Sequence, residues 1–553
     1  MAFRKSFFTT IALAFALATM AGAVRLSRAA SDQAVYLPIV VNPPKSRPIQ
    51  APVLKWQRGG CYSSWCETGW YSSPATADLD GDGTVEVIAS AYSIFVLNGK
   101  TGALEWQVAS GHDRSDPGAD SVGRTWPGIV VADLDGDGDL EIVTAHSGGY
   151  VSVYDHNGYF APGWPQQPSG GLELRGLSVS DLEGDGQLEV IVTGAVYGKV
   201  NTWVFGNNGQ LRPGWPQLSN DSGYAYGIFN ANAAVGDLDG DGAGELVLPS
   251  DVHYICAYER DGTQIPAHPM YGGKGWGLVG VWENPEVELR GWGYCDMSYG
   301  RAERFRANFA HGPAVIADVN GDEVKEVVAT GNVYDCGYGD YPSQYVGLYL
   351  LNADRSRFNR GGLDWRTPPV DTGAPLSEDY DEIENAQPNP AVADLDGDGR
   401  AEMLFASYDG RLHAYWLDKT EAGNWPYAVN QPGEGFYRFA SEPVIADLND
   451  DGKAEVIFAS WAEKGTGATG KLHILDYLGN PIHEVALPPP FSADWNGALA
   501  APTLAEADGD ASLEVILNTA HSGVVVYDLP GTAGAKVLWG TGRGSYWRDA
   551  YVP

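Results

Sequence analysis

Basic charge is scarce in this chain. Its 35 Lys and Arg face 71 Asp and Glu over 553 residues, a formal net charge of −36. Nucleic acid binds proteins mainly through cations that neutralise its phosphates, so it is excluded as an expected partner, and an anionic membrane surface with it. Cysteine is scarce too, with five residues, too few for a disulfide-built scaffold. Cys61 and Cys66 share one loop, and Cys295 and Cys336 lie in long insertions, so each pair is a candidate bridge. Cys256 sits in a strand-like run and is expected to stay a buried thiol. Helical periodicity is missing outside the extreme N-terminus, which points to an all-β chain. Beyond Met20 no apolar run is long enough to span a bilayer.

The N-terminus reads as a secretory signal over residues 1–23. Arg4 and Lys5 supply the positive region, Phe7 to Met20 is apolar, and Ala21-Gly-Ala23 offers a cleavage site. An uncleaved anchor is the rival reading. Residues 24–51 read as a proline-containing linker with one apolar patch, Val35 to Val41, and residues 546–553 as a short tail. The expected destination is secreted or cell surface, with no membrane insertion after cleavage.

The acids are not spread evenly. Thirty-three of them lie in eight copies of one phrase, as in Asp78-Leu-Asp-Gly-Asp-Gly-Thr-Val-Glu86. Carboxylates stand at positions 1, 3, 5 and 9, with glycines at 4 and 6. Alternating carboxylates in a tight turn can converge on a hard dication such as Ca²⁺, which takes six to eight oxygens. The glycines permit the positive φ angles of such a turn. Position 7 would add its backbone carbonyl.

The first motif offers Asp78, Asp80, Asp82 and Glu86; the second Asp133, Asp135, Asp137 and Glu141, with Asp139 at the carbonyl position. The third offers Asp181, Glu183, Asp185 and Glu189; the fourth Asp237, Asp239, Asp241 and Glu245. The fifth offers Asp318, Asn320, Asp322 and Glu326; the sixth Asp394, Asp396, Asp398 and Glu402. The seventh offers Asp447, Asn449, Asp451 and Glu455, and the eighth Glu506, Asp508, Asp510 and Glu514. Motifs one, two, four and six look best equipped. Five and eight look weakest, because Glu323 and Ala511 replace the second glycine and the eighth starts on Glu506. Up to eight ions would offset about 16 negative charges. An EF-hand does not fit, since that loop needs a Glu at position 12 and flanking helices. Short apolar runs follow each copy here, such as Val85-Glu-Val-Ile-Ala.

The first-position acids are 55, 48, 56, 81, 76, 53 and 59 residues apart. A period near 50 means an array or a propeller. The second copy spells out the unit. A strand, Gly128 to Leu134, enters the acidic loop; a second is Leu140 to Ala145; Ser147-Gly-Gly149 turns into a third, Tyr150 to Tyr154; Asn157-Gly158 leads to a fourth segment ending Gly163-Trp-Pro165. That ending recurs at Gly214-Trp-Pro216 and Asn424-Trp-Pro426 and reads as structural. Four short antiparallel strands per unit describe propeller blades. Eight four-stranded blades are expected, with seven the alternative. Two segments compete to complete the last blade, Val53-Leu-Lys-Trp-Gln57 and Lys536-Val-Leu-Trp-Gly540.

The acidic phrase, with an apolar strand before it, resembles the FG-GAP and VCBS repeats, over roughly residues 52–545. Those families form β-propellers such as the integrin α-subunit head. The resemblance implies a single calcium-binding propeller with the acids above as metal ligands. Departures at Glu323, Asp450, Glu506 and Ala511 put their sites in doubt. The Phe-Gly and Gly-Ala-Pro signatures are mostly missing, so integrin-like ligand recognition is not implied.

Metal loops join the first and second strands of a blade, so links between blades must emerge on the opposite face. Calcium is therefore expected to stiffen the scaffold while a partner binds elsewhere. The enlarged connections hold candidate ligand-binding residues: Trp276, Trp282, Trp292, Tyr294, Arg301 and Arg304 in one, Arg124 and Trp126 in another. Aromatics in loops can stack on sugars or anchor a protein. No nucleophile elbow, P-loop or dinucleotide fingerprint occurs, so no catalytic residue is assigned. Three functions compete. The first is a binding or adhesion module for an extracellular glycan or protein. The second is a polysaccharide-active enzyme, because some rhamnogalacturonan lyases are calcium-bearing propellers; His112, Arg114, His311 and Arg301 would be its candidates. The third is a component of a surface layer or filament.

Overall fold

The computed structural model describes residues 47–59, 71–195, 200–218, 232–250, 254–281, 305–309, 312–335, 344–370, 376–377, 387–491 and 493–552. They form an eight-bladed β-propeller of small antiparallel sheets, three to five strands each. Blade one shows the pattern. Its strands Ala75–Ala77, Glu86–Ser90, Ser93–Asn98 and Leu104–Ala109 pair in chain order, with the acidic loop between the first two. Blades two, three and four have three regular strands each. Single bridges such as Val151 to Gln166 and Thr202 to Gln217 mark their fourth, outer segment.

The middle strands are apolar throughout because both faces of each blade are covered. Along Glu86–Ser90 every residue is buried. Ile88 packs with Ile129 and Ile142 of blade two, while Val87 packs with Ile516 and Val526 of blade eight. Burying each such side chain contributes about 1.5–3 kcal/mol, so neighbouring blades are glued along their whole faces.

Tryptophans stitch the rim. Trp56, Trp106, Trp164, Trp215, Trp365 and Trp425 each donate their indole N–H to a backbone carbonyl of the next blade, at Gly99, His156, Asn207, Arg260, Leu417 and Tyr477. The distances run from 2.7 to 3.1 Å. The Trp-Pro endings are thus structural, as their recurrence suggested.

The ring closes with Val53–Arg58, which pairs with Val524–Leu529 as the outer strand of blade eight. Its competitor, Lys536–Trp539, turns inward and pairs with Val444–Asp447, the inner strand of blade seven. From there the chain runs through the centre of the ring. The carbonyls of Gly540, Trp547, Asp549 and Ala550 accept from the inner strands of blades eight, three, four and five, at Leu504, Val179, Val235 and Ile316. Tyr551–Val552 then lies parallel to Ala314–Ala317 of blade five. Residues 546–552, expected as a tail, are therefore bound to the inner strands, with Arg548 to Ala550 buried and Tyr546 and Trp547 exposed.

Arg548 is the hub of this segment. It is fully buried and donates to the carbonyls of Ile129, Pro74 and Gly542, at 3.1, 2.8 and 3.1 Å. Gly128 makes room for it: a Cβ there would lie 2.7 Å from Arg548 Nε.

Candidate metal centres and the channel mouth

All eight acidic loops share one hydrogen-bond plan. The residue at position 2 donates its N–H to Oε2 of the Glu at position 9. These donors are Leu79, Leu134, Leu182, Leu238, Val319, Leu395, Leu448 and Ala507, at 2.6–3.2 Å. In the first motif, Asp78 accepts from Gly83, Asp80 from Asp82, and Asp82 from Thr84. Each of these three Asp side chains therefore spends one oxygen on shaping the turn.

The glycines serve conformation, not space. Gly81 and Gly83 hold φ at +72° and +87°, and an added Cβ at either would meet nothing within 4 Å. Glu323, Asp450 and Ala511, which depart from the pattern, keep left-handed φ values of +66°, +57° and +70°. The departures therefore leave the turn in place and carry its strain instead.

In motifs one, two, four, six and eight, three acidic side chains each place an oxygen within 4.8 Å of the others. Such clustering is repulsive without a cation. Its mark is on the position-9 acids. Burial, reinforced by the neighbouring Asp charges, pushes Glu86, Glu141 and Glu245 up to about 7 and Glu402 and Glu455 up to about 8. Asp78 Oδ1, Glu245 Oε1 and Asn449 Oδ1 are buried with no hydrogen-bond partner. Orphaned acceptors pointing into a cluster of oxygens fit a hard dication.

Three loops differ. In the eighth, Lys55 Nζ contacts Asp508 and lies 2.9 Å from Glu514 Oε1. In the third, Arg212 contacts Glu183 and lies 3.5 Å from Glu189 Oε1. In the fifth, Arg360 lies 3.3 Å from Asp322 and contacts Glu326 Oε1. No sequence argument singled out these basic residues. The signal was available in the eighth motif, where Leu54-Lys-Trp-Gln57 aligns with Leu104-Glu-Trp-Gln107 of blade one.

The opposite face carries a second candidate site. A small depression with a cavity volume of about 30 Å³, partly open to solvent, lies at the channel mouth. Its lining residues Ser73, Gly128, Asn232, Asn389, Glu442 and Ala501 all shortly precede an inner strand, whereas the acidic loops follow it. The C-terminal segment supplies Gly542, Arg543 and Arg548. Arg543 donates to Glu442 Oε2 at 2.6 Å, and Asn389 Nδ2 donates to the same oxygen at 2.9 Å. Trp126 Nε1, Gln387 Nε2 and Asn389 Oδ1 are buried there without a partner.

Of the sequence-derived ligand candidates, Trp126 lines this mouth but is 2 % exposed. Tyr71 stacks on it at 4.5 Å, and the guanidinium groups of Arg124 and Arg175 sit 3.8 and 4.1 Å from the ring centre. Its Nε1 is buried as well. Trp276 is buried in the core on a short 3₁₀ turn. Trp282, Trp292, Tyr294, Arg301 and Arg304 lie outside the described residues, as do His311, Cys61, Cys66, Cys295 and Cys336. His112 and Arg114 are not part of the lining. Cys256 is buried in its strand, where Gln264 Nε2 approaches its sulfur at 3.9 Å.

A family model of the FG-GAP-like repeat matches residues 133–192, 181–248 and 394–458, which contain motifs two, three, four, six and seven. Among curated proteins, the rhamnogalacturonan endolyase YesW of Bacillus subtilis (strain 168) is 25% identical over 302 residues, covering 48% of this chain and 43% of that protein. The chain thus matches less than half the length of that relative. Among solved structures, the exotype rhamnogalacturonan lyase YesX is similar at 16% identity and TM-score 0.48, over 86% of this chain and 75% of that one. The V. cholerae biofilm matrix protein Bap1 is similar at 15% identity and TM-score 0.38, over 91% and 96%. Among the described residues no helix is long and apolar enough to cross a membrane.

Proposed function

We propose that this eight-bladed propeller of FG-GAP-like repeats is an extracellular, calcium-stiffened binding module that takes an acidic polysaccharide at its channel mouth. The carrying observation is the set of three buried polar atoms there without partners, Trp126 Nε1, Gln387 Nε2 and Asn389 Oδ1. Leaving one such group unpaired costs about 1–3 kcal/mol. Three around one depression are explained by a ligand that supplies both donors and acceptors, which sugar hydroxyls do. Arg175 and Arg543 at the same mouth, paired with Glu173 and Glu442, are the cations that a carboxylated sugar would engage by displacing those acids. A signal-like N-terminus and a relative that is a polysaccharide endolyase support the extracellular, glycan-directed reading.

Calcium would be held by the acids at positions 1, 3, 5 and 9, and would supply charge neutralisation that stiffens each loop. It would act on the scaffold, since the loops and the mouth lie at opposite ends of the inner strands.

A direct test is calorimetric titration with pectic and other acidic polysaccharides. Replacing Arg175 and Gln387 together by Ala should weaken binding about tenfold or more, a loss of about 1.4 kcal/mol or greater, with the fold retained by circular dichroism. Undiminished binding by that variant would remove the mouth from consideration. A lyase is the second reading, favoured by the endolyase relative. Ultraviolet absorbance from unsaturated uronates during incubation with rhamnogalacturonan would establish it.

A further inference from the structure

We propose that three of the eight acidic loops carry a built-in cation in place of a metal ion. Lys55 serves the eighth, Arg212 the third and Arg360 the fifth, so the protein holds at most five calcium ions. The inference rests on the calcium reading above and adds which loops take an ion and which do not.

The position-9 Glu is the key to the geometry. Its Oε2 is held by the backbone in every motif, so Oε1 is the oxygen left for a cation. In the fourth motif Glu245 Oε1 is buried and has no partner. In the third, fifth and eighth, the equivalent oxygens of Glu189, Glu326 and Glu514 each meet a basic side chain. The acid is sheltered in each, with Glu514 and Glu326 0% and Glu189 3% exposed; Lys55 is 15% exposed, and Arg212 and Arg360 reach in from the rim at 34%. A lysine ammonium lodged between two carboxylates in such a place is costly to expel, because its partners would be left unpaired. A dication at the same oxygens would sit against a like charge, which is repulsive at this range.

Blades one and eight make the substitution explicit. Their outer strands share the pattern Leu-x-Trp-Gln, and both tryptophans stitch to the next blade. Both strands also bulge at the same residue. The register slips between Leu54 and Trp56 in one, and between the partners of Leu104 and Trp106 in the other. The bulged residue is Lys55 in blade eight and Glu105 in blade one. One position therefore either offsets one of its loop's negative charges or adds another. Glu105 is held above its ordinary range by burial and by Asp80 and Asp82, so it does belong to the first loop's field.

The basic residue also tracks the loss of short carboxylates. The third motif has Glu183 at position 3, the fifth has Asn320 there, and the eighth starts on Glu506. The seventh also has Asn449 at position 3, but its Oδ1 is without a partner. The lysines near it bind elsewhere. Lys536 reaches Asp450 at position 4, and Lys453 reaches the backbone carbonyl of Asp396 in the neighbouring loop. The seventh loop is therefore left to a metal ion.

The test is a calcium count on the full chain, by mass spectrometry of protein equilibrated with calcium and then desalted. The wild type should carry no more than five ions per chain. Lys55→Glu should gain one and Glu105→Lys should lose one, both checked for fold by circular dichroism. Should Lys55→Glu fail to fold, Lys55→Gln, Arg212→Gln and Arg360→Gln read the same quantity, each raising the count or the stabilisation by calcium. Six or more ions in the wild type, or swaps that leave the count unchanged, would overturn the inference and spare the calcium reading. A wild type with no bound calcium would overturn both.

Discussion

On one face of the propeller, eight loops repeat the same bond from a position-2 N–H to a position-9 Glu, within 2.6–3.2 Å. On the other face the blades present different side chains, asparagine alone appearing in two of them. Blade two offers Trp126, blade three Arg175, blade four Asn232, blade six Asn389 and blade seven Glu442. The repeating face keeps its polar atoms shaped by the backbone and open toward a cation. The non-repeating face leaves buried donors and acceptors unpaired. Repetition can stiffen a ring, since each blade poses the same structural problem. Recognition of a ligand needs differences among blades, so the two proposed roles fall at opposite ends of the inner strands.

The largest expected effect breaks the repeating face alone. An ion bound only by the folded state adds about 2.7 kcal/mol at a hundredfold excess over its dissociation constant. Several such ions together amount to the order of ten kcal/mol, so excess chelator should lower the melting temperature markedly. The effect should depend on pH. Without metal, burial and the neighbouring acids raise Glu86, Glu141, Glu245, Glu402 and Glu455 from 4.5 to about 7 or 8. The folded state then holds more protons than the unfolded one through that window, so the chelated protein loses stability as pH rises. Calcium needs the ionised form and gains affinity over the same window. Melting curves with and without chelator should therefore diverge between about pH 5.5 and pH 8. Parallel curves would contradict a metal role for these loops.

A smaller effect should come from the centre, which belongs to neither face. Arg548 ties the carbonyls of Ile129, Pro74 and Gly542 together. Arg548→Leu leaves the Ile129 and Gly542 carbonyls without this donor, while Pro74 keeps the Thr503 hydroxyl, at an expected cost of about 2–5 kcal/mol in denaturant unfolding. The loss should persist in saturating calcium, which separates it from damage to the loops.

Much of the repeating face was legible before any coordinates. Spacing and the position of each acid identify the loops, the blade number and the sheets, because each depends on residues within one repeat. Ring closure was not legible. Val53-Leu-Lys-Trp-Gln57 and Lys536-Val-Leu-Trp-Gly540 present the same local pattern, and only pairing with distant strands separates them. The channel mouth was illegible for a similar reason. Asn232, Gln387 and Asn389 are lone polar residues outside any motif, and they meet only because several blades converge on one axis. The aromatic Trp126 drew attention by its type, yet its unpaired N–H, a property of packing, is what marks it.

The smallest effect sharpens the comparison within the repeating face. The second glycine of the loop holds a left-handed φ with open space around it, as Gly83 does. Ala511 occupies that position in the eighth motif at φ +70°. A non-glycine residue there costs roughly 1–2 kcal/mol, and no neighbour would be disturbed by losing a methyl group that faces solvent. Ala511→Gly should therefore stabilise the protein, less the entropy that glycine adds to the unfolded chain, leaving a gain of about 0.5–1 kcal/mol. If Lys55 stands in for the ion in that loop, the gain should be the same in calcium and in chelator. A gain that appears only in calcium would mean that the eighth loop binds the ion after all. A loss in both conditions would mean that Ala511 carries no strain.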